Sequence, residues 1–205
     1  MNETVAQLEK SSHLIVGIVA DTHVPDRIHE LHPELEKVFR SQKVEVILHA
    51  GDISSPAVLN QLERIAPVFA VRGNRDWAFR GTLPWSLSVT LGGVQIFLTH
   101  GQGGLKDYLL DKFRYLVHGY RSERYLRLIE RNLGSERVVV FGHTHRTLIL
   151  ERKGRLFINP GSAAFAGEKD DFPTVGLLQI EDGRLFPQVI PLTKIKRNGR
   201  RWGKF

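Results

Sequence analysis

The stretch HLIVGIVADTH, His13 to His23, decides the fold. Its first eight residues form a β-branched apolar run closed by an acid, the mark of a buried strand. Working outward, residues 33–42 read as a helix with Pro33 suited to its first turn. Val44 to His49 reads as a second strand, and Ser54-Ser55-Pro56 starts a helix running to about Arg64. Val68 to Val71 is a third short strand. The order β-α-β-α-β predicts a parallel sheet covered by helices. Beyond residue 75 the pattern changes. Ser86 to Leu91 and Val94 to Thr99 flank Gly92-Gly93, which predicts a hairpin. Apolar residues at helical spacing from Leu105 to Val117 predict an amphipathic helix ended by Gly119, and a second helix is expected from Ser122 to Leu133. Five more strands are expected at Arg137 to Phe141, Thr147 to Glu151, Arg155 to Ile158, Thr174 to Ile180 and Arg184 to Ile190. A βαβ half and a hairpin half together predict an α/β fold of two sheets packed face to face, with helices outside.

A chain of 205 residues is long enough for one domain with a core that needs no staples. Apolar residues at 41% and charged residues at 25% argue against disorder along most of it. The absence of cysteine excludes disulfides, thiolate metal sites and a cysteine nucleophile. No apolar run approaches a bilayer span, and MNETVAQLEKSSH lacks the basic start and apolar segment of a signal peptide. These readings point to the cytoplasm and to no membrane partner. The net charge of +7 suits an anionic partner. Part of it lies in Lys194 to Phe205, which carries Lys194, Lys196, Arg197, Arg200, Arg201 and Lys204 and no acid. A frayed, solvated tail is expected there, with nucleic-acid contact as the alternative. The tail holds no candidate ligand, so it is expected to be dispensable for small substrates.

Five polar motifs directly follow predicted strands: Asp21-Thr22-His23, Gly51-Asp52, Gly73-Asn74-Arg75-Asp76, Thr99-His100-Gly101 and Gly142-His143-Thr144-His145. Sites in α/β sheets form at the carboxyl ends of strands. Asp, His and Asn are the oxygen and nitrogen ligands that suit borderline divalent metals. With a side-chain period of two, Asp21 and His23 are expected on one face of a strand end, and so are His143 and His145. Each motif alone is weak; five in this order, each at a strand end, are a strong signal.

The set D-x-H, G-D, G-N-x-D, T-H-G, G-H-T-H resembles the calcineurin-like metallophosphoesterase superfamily. With Asn159-Pro160-Gly161-Ser162 after the last motif, the chain resembles its small bacterial and archaeal phosphodiesterase branch over roughly residues 14–190. The resemblance implies a four-layer α/β/β/α sandwich of two mixed sheets. It implies two divalent ions, manganese foremost with iron, nickel or zinc as alternatives. Asp21, His23 and His145 would hold the first, Asn74, His100 and His143 the second, and Asp52 would bridge them. It further implies hydrolysis of phosphodiester substrates by a hydroxide bridging the two ions. Asp52, Asn74, Arg75 and Asp76 are the expected catalytic set, with Asn74 and Arg75 meeting the substrate. The family usually has His, and the small branch often Cys, where this chain has Arg75. Arginine clamps phosphate oxygens but cannot readily serve as a general acid. Asp76 is expected to orient a ligand from behind.

The resemblance also admits a nuclease or cyclic-nucleotide phosphodiesterase, and a non-catalytic scaffold like the retromer subunit Vps29. Such scaffolds lose ligand histidines, whereas all seven positions are filled here. A homo-oligomer is compatible with the reading. The expected organisation is a flexible segment at 1–12, a metallophosphoesterase domain at 13–192 and a basic tail at 193–205. The 103–134 region is read as a helical insertion over the site, where Lys106, Lys112, Arg114, Arg121 and Arg124 could meet an anion, or as a plain cover for the sheet. His49 is expected either behind the ligands or in the core, His29 and His32 on a solvated loop, and His118 near a helix end. Trp77 and Trp85 are expected in core or rim packing, with an aromatic substrate wall as the alternative; Asn159 and Ser162 either form a turn or approach substrate.

Overall fold

The computed structural model describes residues 11–103, 121–165 and 172–203, together with Leu8 and Gly119. The helix expected between Leu105 and Val117 lies outside the described residues, as do His118, Lys106, Lys112 and Arg114. The described elements begin with β1 (His13–Val19), α1 (Pro33–Ser41), β2 (Val46–His49), α2 (Pro56–Glu63) and β3 (Val68–Ala70). A single 3₁₀ turn at Trp77–Phe79 leads to β4 (Ser86–Leu91), β5 (Val94–Thr99) and α3 (Ser122–Glu130). The chain continues through β6 (Val138–Val140), β7 (Thr147–Arg152), β8 (Arg155–Pro160), β9 (Thr174–Glu181) and β10 (Arg184–Pro191). It closes with β11 (Lys196–Asn198) and β12 (Arg201–Gly203).

The strands form two mixed five-stranded sheets, ordered β10-β9-β1-β2-β3 and β4-β5-β6-β8-β7. In the first, β1, β2 and β3 run parallel while β9 and β10 run antiparallel. In the second, β5, β6 and β8 run parallel while β4 and β7 are antiparallel edges. Strand alternation sorts the core into three layers. Val16 and Ile18 of β1, Leu48 of β2 and Leu178 of β9 meet Ile96 and Leu98 of β5 and Val138 and Val140 of β6 between the sheets. The opposite face of the first sheet carries Val19 and Ile47 against Phe39 of α1 and Leu62 of α2. The opposite face of the second carries Phe97, Val139 and Phe157 against Leu126 and Ile129 of α3. The result is the expected α/β/β/α sandwich. Gly17 permits close approach of α1, because a Cβ there would stand 2.9–3.0 Å from Val44 and Phe39.

Capping follows local chemistry. Ser55 accepts the amide hydrogen of Ala57 at the start of α2, with Pro56 in the first turn. His32 does the same for α1: its Nδ1 accepts from Glu34 N at 3.2 Å and its Nε2 donates to Ile195 O at 3.1 Å. His32 is therefore buried, which corrects the solvated placement expected from its polar surroundings; His29 is exposed.

The basic tail also departs from expectation. Its described part is the antiparallel pair β11–β12, docked on the loop that follows β1. Trp202 Nε1 donates to Glu30 O at 2.9 Å, and its ring lies 4.3 Å from that of His32. Arg200 donates to the carbonyls of Pro25 and Asp26, and its own carbonyl accepts from His29 N. The charged residues had pointed to solvation; the single indole and the backbone pairing outweigh them. Among the described residues no helix is long and apolar enough to cross a membrane.

Candidate metal centre

The five motifs converge beyond the carboxyl ends of β1, β2 and β3 in one sheet and β5 and β6 in the other. Hydrogen bonds lace their loops together. Asp21 N donates to Gly51 O and His23 N to Asp52 O, both at 3.0 Å. Gly142 N donates to His100 O at 3.3 Å, and His143 N to Asp21 Oδ2 at 3.0 Å. Strand alternation does not explain the Asp-x-His and His-x-His pairs, contrary to expectation. Asp21, His23, Asp52, His143 and His145 all lie past their strands in the left-handed region, with φ of 53°, 51°, 53°, 68° and 54°. That conformation costs about 1–2 kcal/mol for each non-glycine residue. Such strain persists only where neighbours over-determine it, as the cross-loop bonds do here.

The functional atoms face one another. Asp21 Oδ1 lies 3.2 Å from His145 Nε2, 3.8 Å from His23 Nε2 and 4.0 Å from His100 Nε2. Asp52 turns Oδ1 to His100 Nε2 at 3.4 Å and Oδ2 to His23 Nε2 at 3.9 Å. His23 Nε2 and His145 Nε2 are 3.2 Å apart. The donor atoms form two overlapping groups, Asp21-His23-His145 and Asp21-Asp52-His100. The His143 ring lies 5.1 Å from that of His100, and Asn74 lies on the loop after β3.

This donor set fits divalent cations. Asn74 Oδ1 and His100 Nε2 are buried with no hydrogen-bond partner among the described residues, a costly state unless something else satisfies them, and buried Asp21 Oδ1 meets only ring nitrogens. His100 is also pre-set as a ligand. Its Nδ1 lies 2.7 Å from Ala50 O, a carbonyl that only accepts, so in the neutral ring Nδ1 carries the proton and Nε2 turns its lone pair to the cluster.

Electrostatics separates the two carboxylates. Burial raises Asp21, but the nearby His145, His100 and His23 outweigh it and hold the group well below the usual carboxylate range. Burial dominates at Asp52 and, with the charge of Asp21, lifts it to about 6 despite His100. Burial likewise lowers His23 to about 3, against the pull of Asp21. His145 moves up: burial opposes its charge, yet Asp21 and Asp52 prevail.

The surroundings position this cluster. Asp76 is buried and accepts from Ser54 N at 2.7 Å and Gly73 N at 2.8 Å, tying the loops after β2 and β3. His49 Nε2 lies 3.1 Å from Thr22 Oγ1, so this histidine braces the first motif from within the sheet. Asn159 donates to Gly142 O and Thr144 Oγ1, and Ser162 Oγ donates to Asp21 O. Both residues thus build the turn rather than a substrate wall.

Sequence reasoning missed three contributors. Phe165 stacks on His145 (5.7 Å, 11° between planes) and meets His23 edge-on at 5.6 Å. The Arg197 guanidinium of β11 covers Phe165 at 4.4 Å. Asp26 receives Arg75 Nε at 2.6 Å, and this hydrogen bond lowers the Asp26 pKa. Arg75 N itself donates to Asp52 Oδ1 at 2.9 Å. No local signal marks these partners, because each is distant in sequence from what it touches. Tyr125 of α3 reaches the His143 ring at 5.8 Å.

Residues 14–183 match the model of the calcineurin-like phosphoesterase superfamily domain. The chain belongs to the calcineurin-like phosphoesterase superfamily. It is 33% identical over 177 residues to a probable metallophosphoesterase of Methanothermobacter thermautotrophicus, covering 86% of this chain and 92% of that one. It is 27% identical over 171 residues to a phosphodiesterase of Methanocaldococcus jannaschii, covering 81% and 93%. The crystal structure of Vps29 from Entamoeba histolytica shares the fold, with a TM-score of 0.64 at 21% identity over 88% of this chain and all of that one. Membership in this phosphoesterase superfamily implies divalent metal ions and hydrolysis of phosphoester bonds.

Proposed function

We propose that the chain is a phosphodiesterase working with two divalent ions, manganese foremost. Asp21, His23 and His145 would hold one ion, Asn74, His100 and His143 the other, and Asp52 would touch both. The observation that carries this reading is the division of Asp52, whose two oxygens face histidines from different sheets. Bound there, the ions would lower the pKa of water to yield hydroxide near neutral pH and would neutralise phosphate oxygens. The chain's own residues do the rest. Asp76 fixes the loops that carry Asp52 and Asn74. Arg75 brings a permanent charge to the cleft wall and is steered by Asp26. That charge suits the nonbridging oxygens of a phosphate, while its proton is held too tightly to be passed to a leaving alkoxide.

The test compares Asp52→Asn with Asn74→Ala, measuring bound metal and turnover of an aryl phosphodiester. Losing the anionic group between two cations should cost more than losing one neutral ligand. Wild-type turnover in Asp52→Asn would sink the two-ion assignment. The fold shared with Vps29 supports a second reading, a non-catalytic scaffold. The filled ligand set opposes it, and a purified protein that binds no divalent metal would favour it.

A further inference from the structure

A cleft of about 1040 Å³ opens beside the metal centre, its floor formed by Gly73, Asn74, Arg75 and Asp76. Trp77 and Trp85 line it and remain 68% and 52% exposed. Two large indoles exposed in one cleft offer the kind of apolar surface that marks a ligand groove. Each is topped by a cation: Arg80 lies 4.8 Å from the Trp77 ring centroid and Arg72 lies 3.9 Å from that of Trp85. Arg72 Nε is buried without a hydrogen-bond partner among the described residues. The acids nearby do not cancel these charges: Arg72, Arg75 and Arg80 line the cleft with Asp26 and Asp76, and Asp26 is engaged by Arg75. Ser86, Thr99, Gln102 and Asn132 add hydrogen-bonding groups to the wall, beside apolar Phe97 and Ile129.

We propose that this cleft binds the nucleoside part of the substrate, with Trp77 and Trp85 as stacking platforms and Arg72 and Arg80 as partners for phosphate. The inference rests on the phosphodiesterase reading and names its substrate class. A planar ring with a polar edge, attached to an anion, is what two indoles, two guanidinium groups and a polar wall recognise together. Neither a bare alkyl chain nor an inorganic anion uses all three. Aromatic stacking on a base tolerates any sequence, because every base has a π face.

The experiment pairs two esters with the same leaving group, thymidine 5′-(4-nitrophenyl phosphate) and methyl 4-nitrophenyl phosphate. With manganese present, wild-type kcat/KM should be at least tenfold higher for the nucleotidyl ester. Trp85→Ala and Trp77→Ala should erase most of that preference and change the methyl ester less than twofold, while Trp85→Phe should keep most of it. Both tryptophans are exposed, so these changes leave no core cavity. Equal rates for the two esters in wild type, or equal losses in the variants, would overturn the proposal. A second readout needs no turnover. Thymidine 5′-monophosphate should quench the tryptophan fluorescence of metal-free protein at concentrations where methyl phosphate does not, and Trp85→Ala should abolish the effect. Cleavage of neither ester would refute the phosphodiesterase reading alone. Absent quenching would refute the stacking site alone.

Discussion

Replacing Gly73 by alanine should disable the metal centre through one misplaced methyl group. Gly73 lies outside the left-handed region, so its backbone conformation tolerates alanine. The obstacle is steric. A Cβ at Gly73 would stand 2.2 Å from Asp52 Oδ1 and 2.5 Å from Asp52 N. Real Cβ contacts do not fall below 3.0 Å, so the carboxylate must retreat by about 0.8 Å. It cannot retreat freely, because Arg75 N holds Oδ1 at 2.9 Å. Forcing atoms into a packed site costs about 1–3 kcal/mol of stability. At about 2–4 °C per kcal/mol for a domain of this size, melting should fall by several degrees. Displacement of a reacting group by about 1 Å costs on the order of 100-fold in rate. Gly73→Ala should therefore lose most turnover of an aryl phosphodiester and most bound metal, read by elemental analysis after gel filtration. Gly81→Ala is the matched control: φ is +85° with no neighbour within 4 Å of the added Cβ, so it incurs backbone strain alone. It should destabilise by about 1–2 kcal/mol and keep metal and turnover. Full metal content and turnover in Gly73→Ala would refute the reasoning.

Across diesters of graded leaving-group pKa, wild-type turnover should drop steeply from aryl to alkyl, and Arg75→His should narrow the gap by offering a transferable proton; a flat wild-type dependence would show that another group protonates the leaving oxygen. Deleting residues 194–205 removes the β11–β12 hairpin and uncovers Phe165, so small-ester turnover should fall about tenfold and the melting temperature should drop; unchanged values would return the tail to the dispensable role expected from its charge. Burial lowers His49 to about 3 and also lowers His32, so the unfolded chain binds more protons below pH 6.5 and stability is lost as the pH falls from there. Urea titrations of metal-free protein from pH 7 to 5 should show a slope of up to about 1.4 kcal/mol per pH unit for each such histidine, and His49→Gln should remove its share; an unaltered slope in the variant would refute it.

Much of this was legible because the signals are local. The Gly92-Gly93 turn marks its hairpin, and the boundaries of β4 and β5 fall where the alternation and the turn place them. The other expected helices and strands that lie within the described residues begin and end within three residues of expectation, while the β11–β12 pair was not foreseen. The convergence of the polar motifs was legible for another reason: Asp, His and Gly at successive strand ends have few structural uses in combination. What was hidden depends on distance and on conformation. The left-handed turns at Asp21 and His143 cannot be told from strand continuation, because Asp and His are unremarkable in either. The docking of Trp202 near His32 joins segments about 170 residues apart, and no periodicity records it. Nor does sequence separate an exposed indole such as Trp77 from a buried one.

The placement of β1 sets conditions on how the protein is made. β1 is translated before the other described strands but lies in the middle of its sheet, between β2 and β9. Its pairing with β9 joins His13 to Glu181 and Ile18 to Gly176. At about 5–20 residues per second, the ribosome needs roughly 10–30 s to make the intervening chain. Throughout that interval the nascent β1 has one unpaired edge and an apolar face waiting for its neighbours. A stalled or truncated chain ending before β9 retains that edge as a template for misassociation. Holding chaperones and a steady rate of elongation therefore bear on the yield of this protein more than on that of a fold whose first strands close among themselves. The loop at Asp21, made long before Ser162, has to wait for that residue before its carbonyl is secured.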